Sequence, residues 1–102
     1  MEVPMTLAEL TQAMLEFVAS KGWLKPDSPH PQTPKNLAVS LVLEASEVLE
    51  HFQWTESAAD PEALATELAD VLLYLMQIAH VHGIDLTSAV MAKLDANHKR
   101  EW

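Results

Sequence analysis

Cysteine is absent from the chain, so disulfides, thiolate nucleophiles and cysteine-based zinc sites are excluded. Glycine is scarce, with only two residues, and neither sits in a glycine-rich stretch of the kind that cradles phosphates in P-loop enzymes. Basic side chains are few: six against 15 acidic ones, for a net charge of −9. A field of that sign repels DNA and RNA. An anionic small molecule can still bind through a bridging cation or a local basic cluster. Long apolar runs are missing too. The longest, VLLYLM at 71–76, is too short to cross a bilayer. The opening MEVPMTLAEL has neither the basic start nor the continuous apolar stretch of a signal peptide. The expectation is a soluble cytoplasmic protein with no membrane and no nucleic-acid polymer as partner.

Apolar residues, by contrast, make up 49% of the 102 residues. That is enough for one core and one domain, 1–102. A chain this short leaves much of its surface uncovered, so helices that are apolar on every side need a second subunit. No strand-like alternation occurs, and the pattern is all-α with four helices. Thr6-Leu7-Ala8-Glu9 is a capping box, followed by apolar residues at helical spacing up to about Lys21, where Gly22 closes the first helix. The segment WLKPDSPHPQTP at 23–34 holds four prolines and reads as a loop. Thr33 and Pro34 then start a second helix, expected to reach about Phe52. Asp60-Pro61 starts a third, to about His82, with Gly83 closing it. Asp85 caps a fourth, from Leu86 to near His98, with Lys99 and Arg100 at the end the helix dipole favours.

The second helix carries an oddity: LVLEASEVLEHFQW at 41–54 sets Glu44 and Glu47 among Leu, Val, Ala and Phe. At about 100° per residue, Leu37, Ser40, Leu41, Glu47, Val48 and His51 fall within about 60° of Glu44. The acids therefore share a stripe with apolar residues. Val39, Val42, Leu43 and Leu49 occupy the other side, so this helix should lie between other elements. The third helix repeats the design. Glu67 and Asp70 share a side with Val71, Tyr74, Gln77 and Ile78, and Leu68, Leu72, Leu75 and Met76 fill the rest. Each pair spans roughly 5–6 Å between Cβ atoms.

Four carboxylates packed together repel one another and lose solvation, at a cost of several kcal/mol each unless something compensates. No lysine or arginine lies between Glu44 and Glu67. Hard oxygen ligands in this number suit Mg²⁺ or Mn²⁺, so Glu44, Glu47, Glu67 and Asp70 are read as ligands of a divalent cation inside a helical bundle. An isolated E-x-x-E on a helix is ordinarily a solvated face, and Glu50, Glu56 and Glu62 fit that description. A di-iron bundle would need Glu-x-x-His on two helices, and the chain contains none. The five histidines are scattered and read as surface or packing residues.

The pair E44-A-S-E47 followed by E67-L-A-D70 resembles the signature of the MazG-like superfamily of all-α nucleoside triphosphate pyrophosphohydrolases. NLAVSLVLEASEVLEHFQW and ELADVLLYLMQIAHVHGIDLTSAVMAKLDANHKREW are similar to its dCTP pyrophosphatase and small integron-type branches. The likeness covers about residues 34–100. Lys93 and Asn97 match the Lys-x-x-x-Asn of the family's tail, whereas Arg100-Glu101-Trp102 departs from the Tyr-Pro that follows there. The resemblance implies a four-helix subunit assembling into a bundle dimer or a dimer of dimers. It also implies Mg²⁺-dependent hydrolysis of a (deoxy)nucleoside triphosphate to monophosphate and pyrophosphate, as house-cleaning with a dCTP-like preference.

On that reading the cation bridges an anionic substrate to an acidic protein, and Glu47 or Glu67 orients or deprotonates the attacking water. Lys93 supplies charge to a phosphate and Asn97 a hydrogen bond. Trp54 and Tyr74 flank the base, since an aromatic ring stacks on any base. Trp23 either joins that pocket or staples the proline loop. Two other readings stay open: a non-catalytic helical dimerisation or regulatory module, and a hydrolase of the same fold acting on another nucleotide phosphate.

Overall fold

A computed structural model describes residues 4–101; Trp102 lies outside the described residues. Four helices are formed, α1 Leu7–Ser20, α2 Pro34–Glu50, α3 Pro61–Val81 and α4 Leu86–Lys99, with no strand among the described residues. Their starts follow the expected chemistry. Thr6 Oγ1 accepts from the Glu9 amide while Glu9 reaches back to the Thr6 amide, which satisfies donors the first turn would leave orphaned. Thr33 accepts from Asn36, Asp60 from Glu62 and Ala63, and Asp85 from Ser88. Gly22 and Gly83 stand just past α1 and α3 with φ of 74° and 66°, the left-handed region that only glycine enters without strain. The α2 helix stops at Glu50, with His51 as its C-cap, slightly earlier than the sequence pattern suggested.

The most extensive packing joins α2 to α3, which run antiparallel. Two side-chain contacts fix the register: His51 meets Glu67 at one end, and the Gln77 amide donates to Gln32 Oε1 at 2.8 Å at the other. The α1 helix packs on the far half of α3, and α4 rests mainly against α1. Met14 and Val18 of α1 with Met76 of α3 form the buried core, flanked by Leu7, Leu10, Leu15, Trp23, Leu72 and Leu86. Trp23 meets Phe17 and His30 edge-on, with ring centroids 5.7 and 6.1 Å apart. It therefore staples the proline loop to α1 and the core. Gln77, buried on α3, holds the same loop through Gln32, and Gln32 donates onward to the His30 carbonyl.

By length and composition α3 is apolar enough to cross a membrane. It packs instead between α1 and α2, and its Glu67 and Asp70 face the hairpin with α2. Within one subunit α2 is not enclosed on all sides. Val39, Val42, Leu43 and Leu49 are all exposed, Val42 by 67%, because α1 packs on α3 and α4 on α1, which leaves the outer side of α2 open. The radius of gyration is 16.0 Å, against about 13 Å for a compact chain of this length.

Candidate active site

The hairpin brings the four predicted acids together. Glu44 and Glu47 project from consecutive turns of α2, and Glu67 and Asp70 from consecutive turns of α3. All four are half-buried, whereas Glu50, Glu56 and Glu62 are exposed. The separation follows from the stripe geometry: three- and four-residue spacing keeps side chains on one helix face, and here that face meets the neighbouring helix.

Glu44 shows the electrostatic consequence. Its pKa is raised, first by burial, then by the proximity of the Glu47 carboxyl, and then by the negative charges of Asp70 and Glu67. Its Oε2 is buried with no hydrogen-bond partner. A buried carboxylate oxygen without a donor costs about 1–3 kcal/mol or more, and such an orphan is ordinarily the mark of a missing ion, water or ligand. The donor set is all oxygen, of the kind Mg²⁺ and Mn²⁺ accept. These residues therefore fit a divalent cation. Among the described residues no three acidic or histidine side chains converge on one point as metal ligands.

One member of the cluster escaped the sequence reading. His51 Nε2 is hydrogen-bonded to Glu67 Oε2, with the imidazole 14% and the carboxylate 24% exposed. The signal was present: His51 follows Glu47 by four residues and lies on the stripe of Glu44. It completes no Glu-x-x-His motif, so its spacing alone does not mark it as part of a metal centre.

The substrate-binding candidates are placed unevenly. Tyr74 is half-buried on α3, one turn after Asp70 on the same face. Trp54 stands in the loop after α2 and is 87% exposed, so it is not a core residue. Lys93 is exposed and Asn97 half-buried on α4. That helix packs on α1 and makes no substantial packing with α2, so within one subunit it is not laid against the acid-bearing hairpin.

Comparison with known proteins shows the family. Residues 39–101 match the sequence profile of the MazG-like family, a span holding all four acids. The chain is 37% identical over 105 residues to dCTP pyrophosphatase 1 of Rattus norvegicus, covering 93% of this chain and 58% of that protein. A dATP/dGTP diphosphohydrolase of Cyanophage S-2L is 33% identical over 100 residues, covering 98% of this chain and 81% of that protein. The chain thus spans little more than half the length of its mammalian relative. A pyrophosphatase from Archaeoglobus fulgidus DSM 4304, known from a crystal structure, matches with a TM-score of 0.74 at 38% identity, covering 97% of this chain and 94% of that one.

Proposed function

Because the chain belongs to the MazG-like family, we propose that it is a nucleoside triphosphate pyrophosphohydrolase, dependent on Mg²⁺ or Mn²⁺, that cleaves (deoxy)nucleoside triphosphates to monophosphate and pyrophosphate. The single observation that carries the reading is the acid cluster of α2 and α3, with its orphaned Glu44 oxygen. Glu44, Glu47, Glu67 and Asp70 would hold the cation. When bound, the cation supplies the positive charge that neutralises the phosphoryl oxygens of the substrate.

The chain's own groups do the rest. Glu47 or Glu67 holds the attacking water by a carboxylate oxygen and takes its proton. Tyr74, on the Asp70 face, borders the nucleotide, and the exposed Trp54 ring stacks on the base. The relatives that support a deoxynucleotide substrate act on pyrimidine in one case and on purines in the other, by name. The dCTP-like preference rests on the somewhat higher identity to dCTP pyrophosphatase 1, 37% against 33%. A cytoplasmic setting fits such a substrate.

We further infer a homodimer or homotetramer built from the single domain 1–102. The accessible surface is 7999 Å², against about 5,700 Å² for a compact monomer of this mass. The excess, roughly 2,000 Å², is what an obligate interface buries. The uncovered side of α2, with Val39, Val42, Leu43 and Leu49, accounts for part of it. Assembly would also give Lys93 and Asn97 a hairpin to face, since their own subunit lays none against α4.

The test is direct: incubate the protein with each NTP and dNTP plus Mg²⁺ and quantify pyrophosphate. Release of pyrophosphate, fastest from dCTP, is the expected result. Orthophosphate release would move the cleavage site. No turnover with any of them would favour a non-catalytic dimerisation module.

A further inference from the structure

We propose that His51 is a positioning residue: by donating its Nε2 hydrogen to Glu67 Oε2 it fixes that carboxylate so that Oε1 is presented to the divalent cation. The inference rests on the metal-dependent reading above and deepens it. An ionised carboxylate only accepts hydrogen bonds, so the imidazole must be the donor. Metal-binding carboxylates commonly need such an outer partner to hold their orientation.

The surroundings of His51 suit that task. It closes α2, and its amide donates to the carbonyls of Leu49 and Val48. The Thr55 hydroxyl, whose single hydrogen goes to the Ser57 carbonyl at 2.6 Å, lies 3.3 Å from the His51 carbonyl. The backbone carrying the imidazole is thus held from the helix side. The ring is largely shielded from water, so solvent competes weakly for the Glu67 oxygen. Glu67 sits on α3, in the second turn of its helix, where a long side chain has several rotamers to choose from. Fixing it in advance removes part of the entropy otherwise lost on binding an ion. His51 also spans the two helices, so the same bond sets the spacing of the acid pairs.

The test compares the full chain with His51→Leu, which keeps bulk and loses the donor, and His51→Gln, which keeps a donor. Mg²⁺ binding is followed by calorimetry without nucleotide, beside circular dichroism to confirm folding. We expect the leucine variant to bind Mg²⁺ about 10-fold or more weakly and the glutamine variant to recover most of the loss. Leucine binding as tightly as the parent would mean that His51 merely packs. Tighter binding would mean that it withholds Glu67 from the ion. Either result overturns the proposal. Should His51→Leu fail to fold, nitrogen NMR of the unaltered chain decides: the Nε2–H signal must stay hydrogen-bonded as Mg²⁺ saturates, and its loss refutes the assignment. A parent that releases pyrophosphate and whose Mg²⁺ affinity is unchanged by His51→Leu sinks this inference alone. A parent that binds no Mg²⁺ sinks the enzymatic reading and this inference with it.

Discussion

Replacing Trp54 by alanine separates a substrate-binding ring from a structural one. The side chain is 87% exposed, so little apolar surface returns to water when it is removed. Surface substitutions away from caps, cores and strained turns change stability by within about 0.5 kcal/mol. A buried tryptophan truncated to alanine would cost about 3–5 kcal/mol. The structure therefore expects the Trp54→Ala protein to melt within a few degrees of the parent. Loss of base stacking is a different matter, worth roughly 1–3 kcal/mol, or about 5- to 150-fold in affinity. If the ring stacks equally on the ground and transition states, the whole change falls in KM and kcat is preserved. Mg²⁺ binding should be untouched, because tryptophan ligates no metal.

The assay is steady-state pyrophosphate release over a range of dCTP, with calorimetric Mg²⁺ binding and sedimentation run on the same samples. A KM within about twofold of the parent would refute the stacking role outright. So would a shift to smaller assemblies, since an exposed ring that glues subunits together is an equally good use of a tryptophan. Both KM and kcat collapsing with an unchanged sedimentation profile would mean that the loop after α2 positions the acids rather than the base.

Four further outcomes test other parts of the scheme. Millimolar Mg²⁺ should raise the melting temperature through binding linkage, and Glu44→Gln combined with Asp70→Asn should abolish the rise; an unresponsive parent would count against the cation site. In metal-free buffer the folded chain keeps the Glu44 proton to higher pH than the unfolded chain does, because burial and neighbouring carboxylates raise its pKa. In the interval above the ordinary carboxylate value the folded state therefore binds more protons, so stability falls as pH rises; denaturant titrations should show this fall flattened in Glu44→Gln, and an identical slope would refute it. Val42→Glu, at a position 67% exposed in one subunit, should cost an isolated chain little but reduce the assembly to smaller species in sedimentation, while Leu37→Ala, at a residue 2% exposed, should cost about 2–5 kcal/mol in chemical denaturation.

The helices were legible because their ends are written in local chemistry. Thr6, Thr33, Asp60 and Asp85 are side chains that bond amides two or three residues ahead, and each does so. The acid cluster was legible because a spacing of three, set on an apolar stripe, survives into the folded hairpin unchanged. Contacts between segments far apart in sequence were not. Nothing local to Gln32 indicates that it meets Gln77, 45 residues later, because that pairing depends on how the proline loop is folded back. His51 lay on the right stripe, yet its partner Glu67 is on another helix, and only the α2–α3 register joins them.

The apolar character of α2 on all sides has two causes that a helical wheel cannot separate. One face meets α3 and carries the acids, so its Leu37 and Leu41 serve the subunit's own interior. The other face, from Val39 to Leu49, is left largely exposed by the described residues of the same subunit. A wheel counts both as burial and assigns them to one core. The subunit instead encloses only the face with the carboxylates, where their charge has to be balanced, and leaves the uncharged face open. That division is what a site assembled between helices requires. The face that must exclude water around Glu44 is closed by α3 itself, through contacts such as His51 to Glu67. The face that needs only apolar cover can be shared with another copy, at no electrostatic cost, since it bears no charge between Lys35 and Glu50 on that side.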